Sequence, residues 1–138
     1  MSQENVEIVR RLFDAAARRD SATVFSLYDP GVEWDGSRHR WSEILDGEAR
    51  WRGHDGLRKW AREYYANWES LEDSIEELID AGDDVVTIVT TRGRGRASGV
   101  AVEWLHHAAV WTVQNGRIVR VVWFPTREEA LESVGPRE

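Results

Sequence analysis

Residues Val110–Phe124 read VWTVQNGRIVRVVWF: two runs of β-branched and aromatic residues either side of Asn115-Gly116. Both central residues of a type I′ turn need positive φ, which asparagine and glycine adopt at least cost, so the stretch is predicted to form a β-hairpin. A two-residue loop there pairs Val110 with Val121, Ala108 with Trp123 and Trp111 with Arg120. Treating Ser98-Gly99 as a second two-residue loop sets Trp104 opposite Gly93 and Glu103 opposite Arg94, and Gly82-Asp83-Asp84 separates Ile75–Ile79 from Val85–Thr91. The second half of the chain is therefore expected to be a four-strand meander. One face would carry Val85, Thr87, Val89, Gly93, Trp104, His106, Ala108, Val110, Val119, Val121 and Trp123 and lie under the helices. The other, with Val86, Ile88, Arg92, Arg94, Glu103, His107, Trp111, Arg120 and Phe124, would be partly covered in a homodimer. Adjacent His106 and His107 must point to opposite faces, and a single bulge would exchange them.

Upstream of the meander the period changes. Val6, Val9, Phe13 and Ala16 recur at helical spacing and predict a helix over 3–18. Asp20 can cap a short second helix with Val24, Leu27 and Tyr28, which Asp29-Pro30-Gly31 stops. Val32–Asp35 alternates like a short strand, and 36–50 reads as a loop containing Trp41. Leu57, Trp60, Ala61, Tyr64 and Trp68 then mark an aromatic-faced helix beginning near Gly53-His54-Asp55. After the meander, Thr126–Glu129 matches a capping box, opening a last helix that closes at Gly135-Pro136.

The chain has 138 residues, enough for one domain over 1–138, ordered over about 3–134 with a short C-terminal tail. With no cysteine, disulfides, thiolate nucleophiles and sulfur-ligated metals are excluded. A net charge of −7 argues against a nucleic-acid partner. Arg92-Gly-Arg-Gly-Arg96 does not reverse this, since its arginines share a strand face beside Glu103. No apolar run approaches the ~20 residues of a membrane span, and the first residues do not read as a signal peptide, so a cytoplasmic protein is expected. No metal is expected, because His106 and His107 cannot chelate one ion from one face while His39 and His54 lie in unrelated segments. No cofactor is implied.

Tryptophan is out of proportion, with eight in the chain. Trp34, Trp60, Tyr64, Trp104 and Trp123 are expected to line a pocket for an apolar or polycyclic guest. Trp68 is assigned to the packed helix face, Trp111 to the outer sheet face, and Trp41 and Trp51 to a loop over the mouth. Glu33 and Asp35 share one side of a strand, where burial could make a base of one, or both could be exposed while Val32 and Trp34 face in. His106 is the expected polar anchor of the pocket, able to donate or to accept a proton.

The segments QENVEIVRRLFDAAARRD, LYDPGVEWD, WRGHDGLRKW, SGVAVEW, VWTVQNGRIVRV and REEAL, from Gln3 to Gly135, resemble the SnoaL-like branch of the nuclear transport factor 2-like superfamily. The resemblance implies an α+β fold: a curved mixed or antiparallel sheet wrapped by N-terminal helices into a cone with an internal pocket, often dimeric through the sheet. Ketosteroid isomerases, polyketide cyclases and limonene epoxide hydrolases are members. Their catalytic positions are mostly vacated. The first-helix tyrosine falls near Leu12, the strand acid near Ala109, and the final-strand Asp within Trp123–Thr126; no Asp or Glu occurs between Trp104 and Arg127. Only the first-strand carboxylate is matched, by Asp35 or Glu33. The expectation is a protein that binds a ring-containing small molecule. One alternative is an isomerase, cyclase or hydrolase with Asp35 as general base and His106 as donor. Another is a dimeric interaction module with a filled core.

Overall fold

In the computed structural model, which describes residues 2–39, 49–66 and 68–135 without the side chains of residues 2 and 63–65, helix α1 (Ser2–Ala17) presents Val9, Leu12 and Ala15 to the core. Helix α2 (Ser21–Leu27) is capped by Asp20, whose carboxylate accepts from the Thr23 amide at 3.2 Å and the Thr23 hydroxyl at 2.6 Å. The chain passes directly into strand β1 (Tyr28–Asp35), so Asp29-Pro30-Gly31 lies in a strand and not in a stop. Strand β2 (Arg50–Arg52) and helix α3 (Gly53–Tyr65) follow. Residues 40–48, which include Trp41, lie outside the described residues.

Four long strands complete the sheet: β3 (Trp68–Ala81), β4 (Asp84–Gly95), β5 (Ala101–Gln114) and β6 (Arg117–Phe124). Their order is β2-β1-β6-β5-β4-β3, antiparallel except where β1 runs parallel to β6. That ladder shifts between Tyr28 and Glu33, around Pro30, which has no amide to contribute. Trp68 is a strand residue. The helix ends at Tyr65, and the period that seemed to carry it to 68 joins two elements. Asn115 and Gly116 have φ of 52° and 77°, as a type I′ turn requires. Helix α4 (Arg127–Ser133) opens on the expected box, the Glu129 amide donating to the Thr126 hydroxyl at 3.2 Å.

Two register shifts move β5 from its expected pairing. At the Asn115-Gly116 turn Gln114 faces Arg117, but a shift after Thr112 sets Trp111 opposite Val121 and Ala109 opposite Trp123. On the other side a bulge at His106, whose φ is 54°, shifts the pairing between Val89 and Thr91. The loop after β4 is also longer than two residues, since Arg94 faces Ala101. Val85, Val89, Ala109, Trp111, Val121 and Trp123 consequently share the inner face with Val9, Leu12, Leu27, Trp34 and Leu57. Val86, Ile88, Ala108, Val110, Val122 and Phe124 form an outer cluster under Ala130 of α4. The strand assignments to the two faces thus hold for β4, are exchanged along β5 beyond Trp104, and on β6 hold from Val121 while Ile118 takes the inner place expected of Val119. The sheet curves around α1, α2 and α3 without closing, and no described helix is long and apolar enough to cross a membrane.

Candidate ligand-binding cavity

Strand alternation delivers large rings to one place. Trp34 pairs with inner-facing Val121 and turns inward, while its neighbour Asp35 pairs with outer-facing Val122. Trp34 meets Trp60 of α3 at 4.9 Å between ring centroids and Trp51 of β2 at 5.1 Å. On the sheet side Trp123 lies 6.1 Å from Trp111 and 4.8 Å from the His107 imidazole. Between these walls, with Phe13 of α1 and Phe25 of α2 contributing, is a cavity of about 590 Å³, within the range of small-molecule sites.

The polar part of the wall comes from three neighbouring strands. Asp73 of β3 accepts from the Thr91 hydroxyl of β4 at 2.6 Å, and Thr91 Oγ1 lies 2.8 Å from His107 Nε2 of β5. His107 Nδ1 lies 3.0 Å from His39 Nε2. Burial, and then the neighbouring His39, takes the His107 pKa from 6.5 down to about 3, so the ring is neutral at ordinary pH. Proton counting then orders the chain. Thr91 has one hydroxyl proton and gives it to Asp73, so His107 Nε2–H donates to Thr91 and His107 Nδ1 accepts from His39. Burial among protein atoms pushes the Asp73 carboxyl up, and the Thr91 hydroxyl draws it part of the way back. Asp73 nevertheless keeps water-accessible surface, as a carboxylate standing in an open cavity does.

The structure places Trp34, Trp60 and Trp123 on the wall of this cavity. Trp104 is on the inner side but half-buried behind the wall, against Trp68 at 5.6 Å and stacked over His107 at 6.5 Å. The Tyr64 side chain lies outside the described residues. Trp111, expected outside, lines the cavity and donates its indole N–H to Thr87 at 2.9 Å. His106 and His107 are exchanged by the bulge. His106 is exposed and bonds Glu76 at 2.8 Å, with Thr90 and His106 together holding the Glu76 carboxyl below its usual range. Asp35 does not line the cavity either. Burial raises its pKa, but the Ser37 hydroxyl and amide, with Arg50, more than compensate and hold it low. The structure does not bring Asp35 and His106 together. The polar residues missed from sequence are Asp73 and Thr91, while His107 takes the inward place that a bulge gives it instead of His106. Leu71, Asp73 and Ile75 alternate on β3, and that spacing would have placed a carboxylate among inward apolar residues had the strand been traced from Trp68.

The chain resembles several proteins of solved structure along nearly its whole length. A nuclear transport factor 2-like protein of unknown function from Burkholderia pseudomallei shares 24% identity, with 96% of this chain and 98% of that one covered and a TM-score of 0.77. TerC, co-crystallised with polyporic acid, shares 20% identity over 95% and 97% at a TM-score of 0.77. A SnoaL-like protein assigned as a polyketide cyclase from Jannaschia sp. CCS1 shares 21% over 98% and 94% at a TM-score of 0.70. No curated protein matches the chain by sequence. The SnoaL-like domain matches residues 9–121, the span that runs from the core face of α1 through the inner strand β6, and to that family the chain belongs.

Proposed function

We propose that the protein binds an apolar, ring-containing small molecule in the cavity between α1–α3 and the inner face of the sheet. The observation that carries this reading is the wall itself: indoles from β1, α3, β5 and β6 surround about 590 Å³ of space in place of a filled core. Planar rings bury much area against indole faces at small entropic cost. That a protein of this fold co-crystallises with polyporic acid supports the reading at the level of shape. Self-association through the part of the outer sheet face that α4 leaves uncovered belongs to the same reading, supported by exposed Leu105.

The test is titration of intrinsic tryptophan fluorescence with uncharged steroids, terpenoids and fused aromatic compounds, in wild type and in Trp60→Ala. A saturable change for at least one class, weakened about tenfold or more in the variant, is expected. Absence of any saturable change, with no ligand-dependent rise in Tm, would overturn it.

A further inference from the structure

We infer that the cavity selects a cationic ring compound, an amine whose ammonium pairs with Asp73 while its rings lie against the indole walls. This rests on the binding reading above and adds the chemical class of the guest.

Hydrogen bonding around Asp73 favours a guest that brings donors. The Thr91 hydroxyl spends its one proton on Asp73 at 2.6 Å. The Trp111 indole N–H is committed to Thr87 at 2.9 Å. His107 is neutral, and the N–H it carries is directed to Thr91 at 2.8 Å. These donors, at the Asp73 end of the wall, are engaged by the protein. The acceptor side is different: Thr91 occupies one oxygen of Asp73, and no described residue donates to the other. A guest that brings N–H donors completes this arrangement, whereas a carboxylate or enolate placed beside Asp73 would meet a like charge.

Charge points the same way. Apart from the Tyr28 phenol, the ionisable side chains on the lining are Arg19, Asp20, Glu72, Asp73 and His107. Asp20 is held ionised by its cap to Thr23, and Arg19 stands beside it at the turn between α1 and α2. Carboxylates therefore outnumber the single cation, and the indole faces add the negative side of their quadrupoles. A small inorganic cation is a poorer match. A divalent ion takes six or more oxygens, and the described residues gather no group of three His, Asp or Glu side chains able to hold one. An organic ammonium uses both halves of the wall: the carboxylate by charge-assisted hydrogen bonding, the indoles by cation–π contact and apolar burial. It also favours the ionised form of Asp73 by placing an opposite charge beside it, which a neutral guest does not.

Three probes with one ring system and three charges separate the possibilities: naphthylmethylamine, naphthalenemethanol and naphthoate, titrated calorimetrically into the full chain near neutral pH. The amine is expected to bind about tenfold or more tighter than the alcohol, and naphthoate weakest. In Asp73→Asn the lead of the amine collapses while the affinity for the alcohol is kept; in Glu103→Gln, altered on the outer face away from the cavity, the lead persists. The wild-type comparison stands without either variant. An amine no tighter than the alcohol, a tighter naphthoate, or a lead that survives Asp73→Asn overturns the inference and leaves the cavity reading intact. Failure of all three probes, together with the fluorescence panel, overturns the cavity reading itself.

Discussion

His107 has exchanged its usual titration for a structural duty. In the unfolded chain this imidazole takes up a proton below about pH 6.5, while in the fold burial and His39 delay protonation to about pH 3. Its contribution to stability is therefore complete above pH 6.5 and is lost as the pH falls toward 3, at about 1.4 kcal/mol per pH unit. His107→Gln, which cannot titrate, is expected to be less stable than wild type at pH 7, with the gap narrowing by about 2 kcal/mol at pH 5 in urea unfolding. A gap independent of pH would mean that the buried imidazole titrates as it does in water. Asp73 carries the opposite sign. Its folded carboxyl favours the proton, so its contribution is present below the ordinary carboxylate range and is lost as the pH rises through the raised value. Asp73→Asn is expected to raise Tm at neutral pH and to leave it unchanged at pH 3, read by thermal unfolding. A lower Tm at neutral pH would show that the charge is welcome where it stands. A carboxylate kept at a cost to stability in a cavity is what a ligand-binding role predicts.

At the scale of elements, the chain's own patterning shows most of the architecture. Helical spacing in α1, the Asp20 and Thr126 caps and the Asn115-Gly116 turn are local signals, and local chemistry satisfies them. What the sequence hides is register. The bulge at His106 needs no distinctive residue, yet it sends Leu105 and His106 outward and leaves Trp104, His107 and Trp111 inward. Asp73 was obscured for a related reason: β3 pairs with β4 along its whole length, a non-local fact, while its first residues continue a helical period. A left-handed φ of 54° is strained for histidine and worse for a β-branched residue, whereas glycine adopts it freely. His106→Gly is therefore expected to be more stable than His106→Val by about 1–2 kcal/mol in urea unfolding. The pair with Glu76 is lost in both variants and cancels. Equal stabilities would indicate that the bulge migrates along β5 when residue 106 resists it.

For the whole molecule, the eight tryptophans and the two faces of the sheet set complementary demands. The inner face spends its aromatic surface on the cavity. The outer face is only partly covered, because α4 lies over Val86, Ile88, Val110, Val122 and Phe124 at one end. Beyond it β3–β5 carry Glu76, Arg92, Glu103 and His106, already joined within the chain as Arg92–Glu103 at 2.6 Å and His106–Glu76 at 2.8 Å. Paired charges of this kind do not repel a second copy, and the exposed large apolar residues among those described are Leu105, next to His106 on β5, at 54% and Val100, just before β5, at 57% exposure. In a two-fold dimer Leu105 would meet the same patch on its partner, so one substitution acts twice. Wild type is expected to sediment as a dimer at micromolar concentration. Leu105→Glu, which places two like charges in that contact, is expected to sediment as a monomer with its Tm nearly unchanged at low protein concentration, since Leu105 is more than half exposed and belongs to neither buried cluster. A monomeric wild type, or a dimer indifferent to Leu105→Glu, would remove this end of the outer face as the contact and leave its apolar residues as ordinary exposed surface.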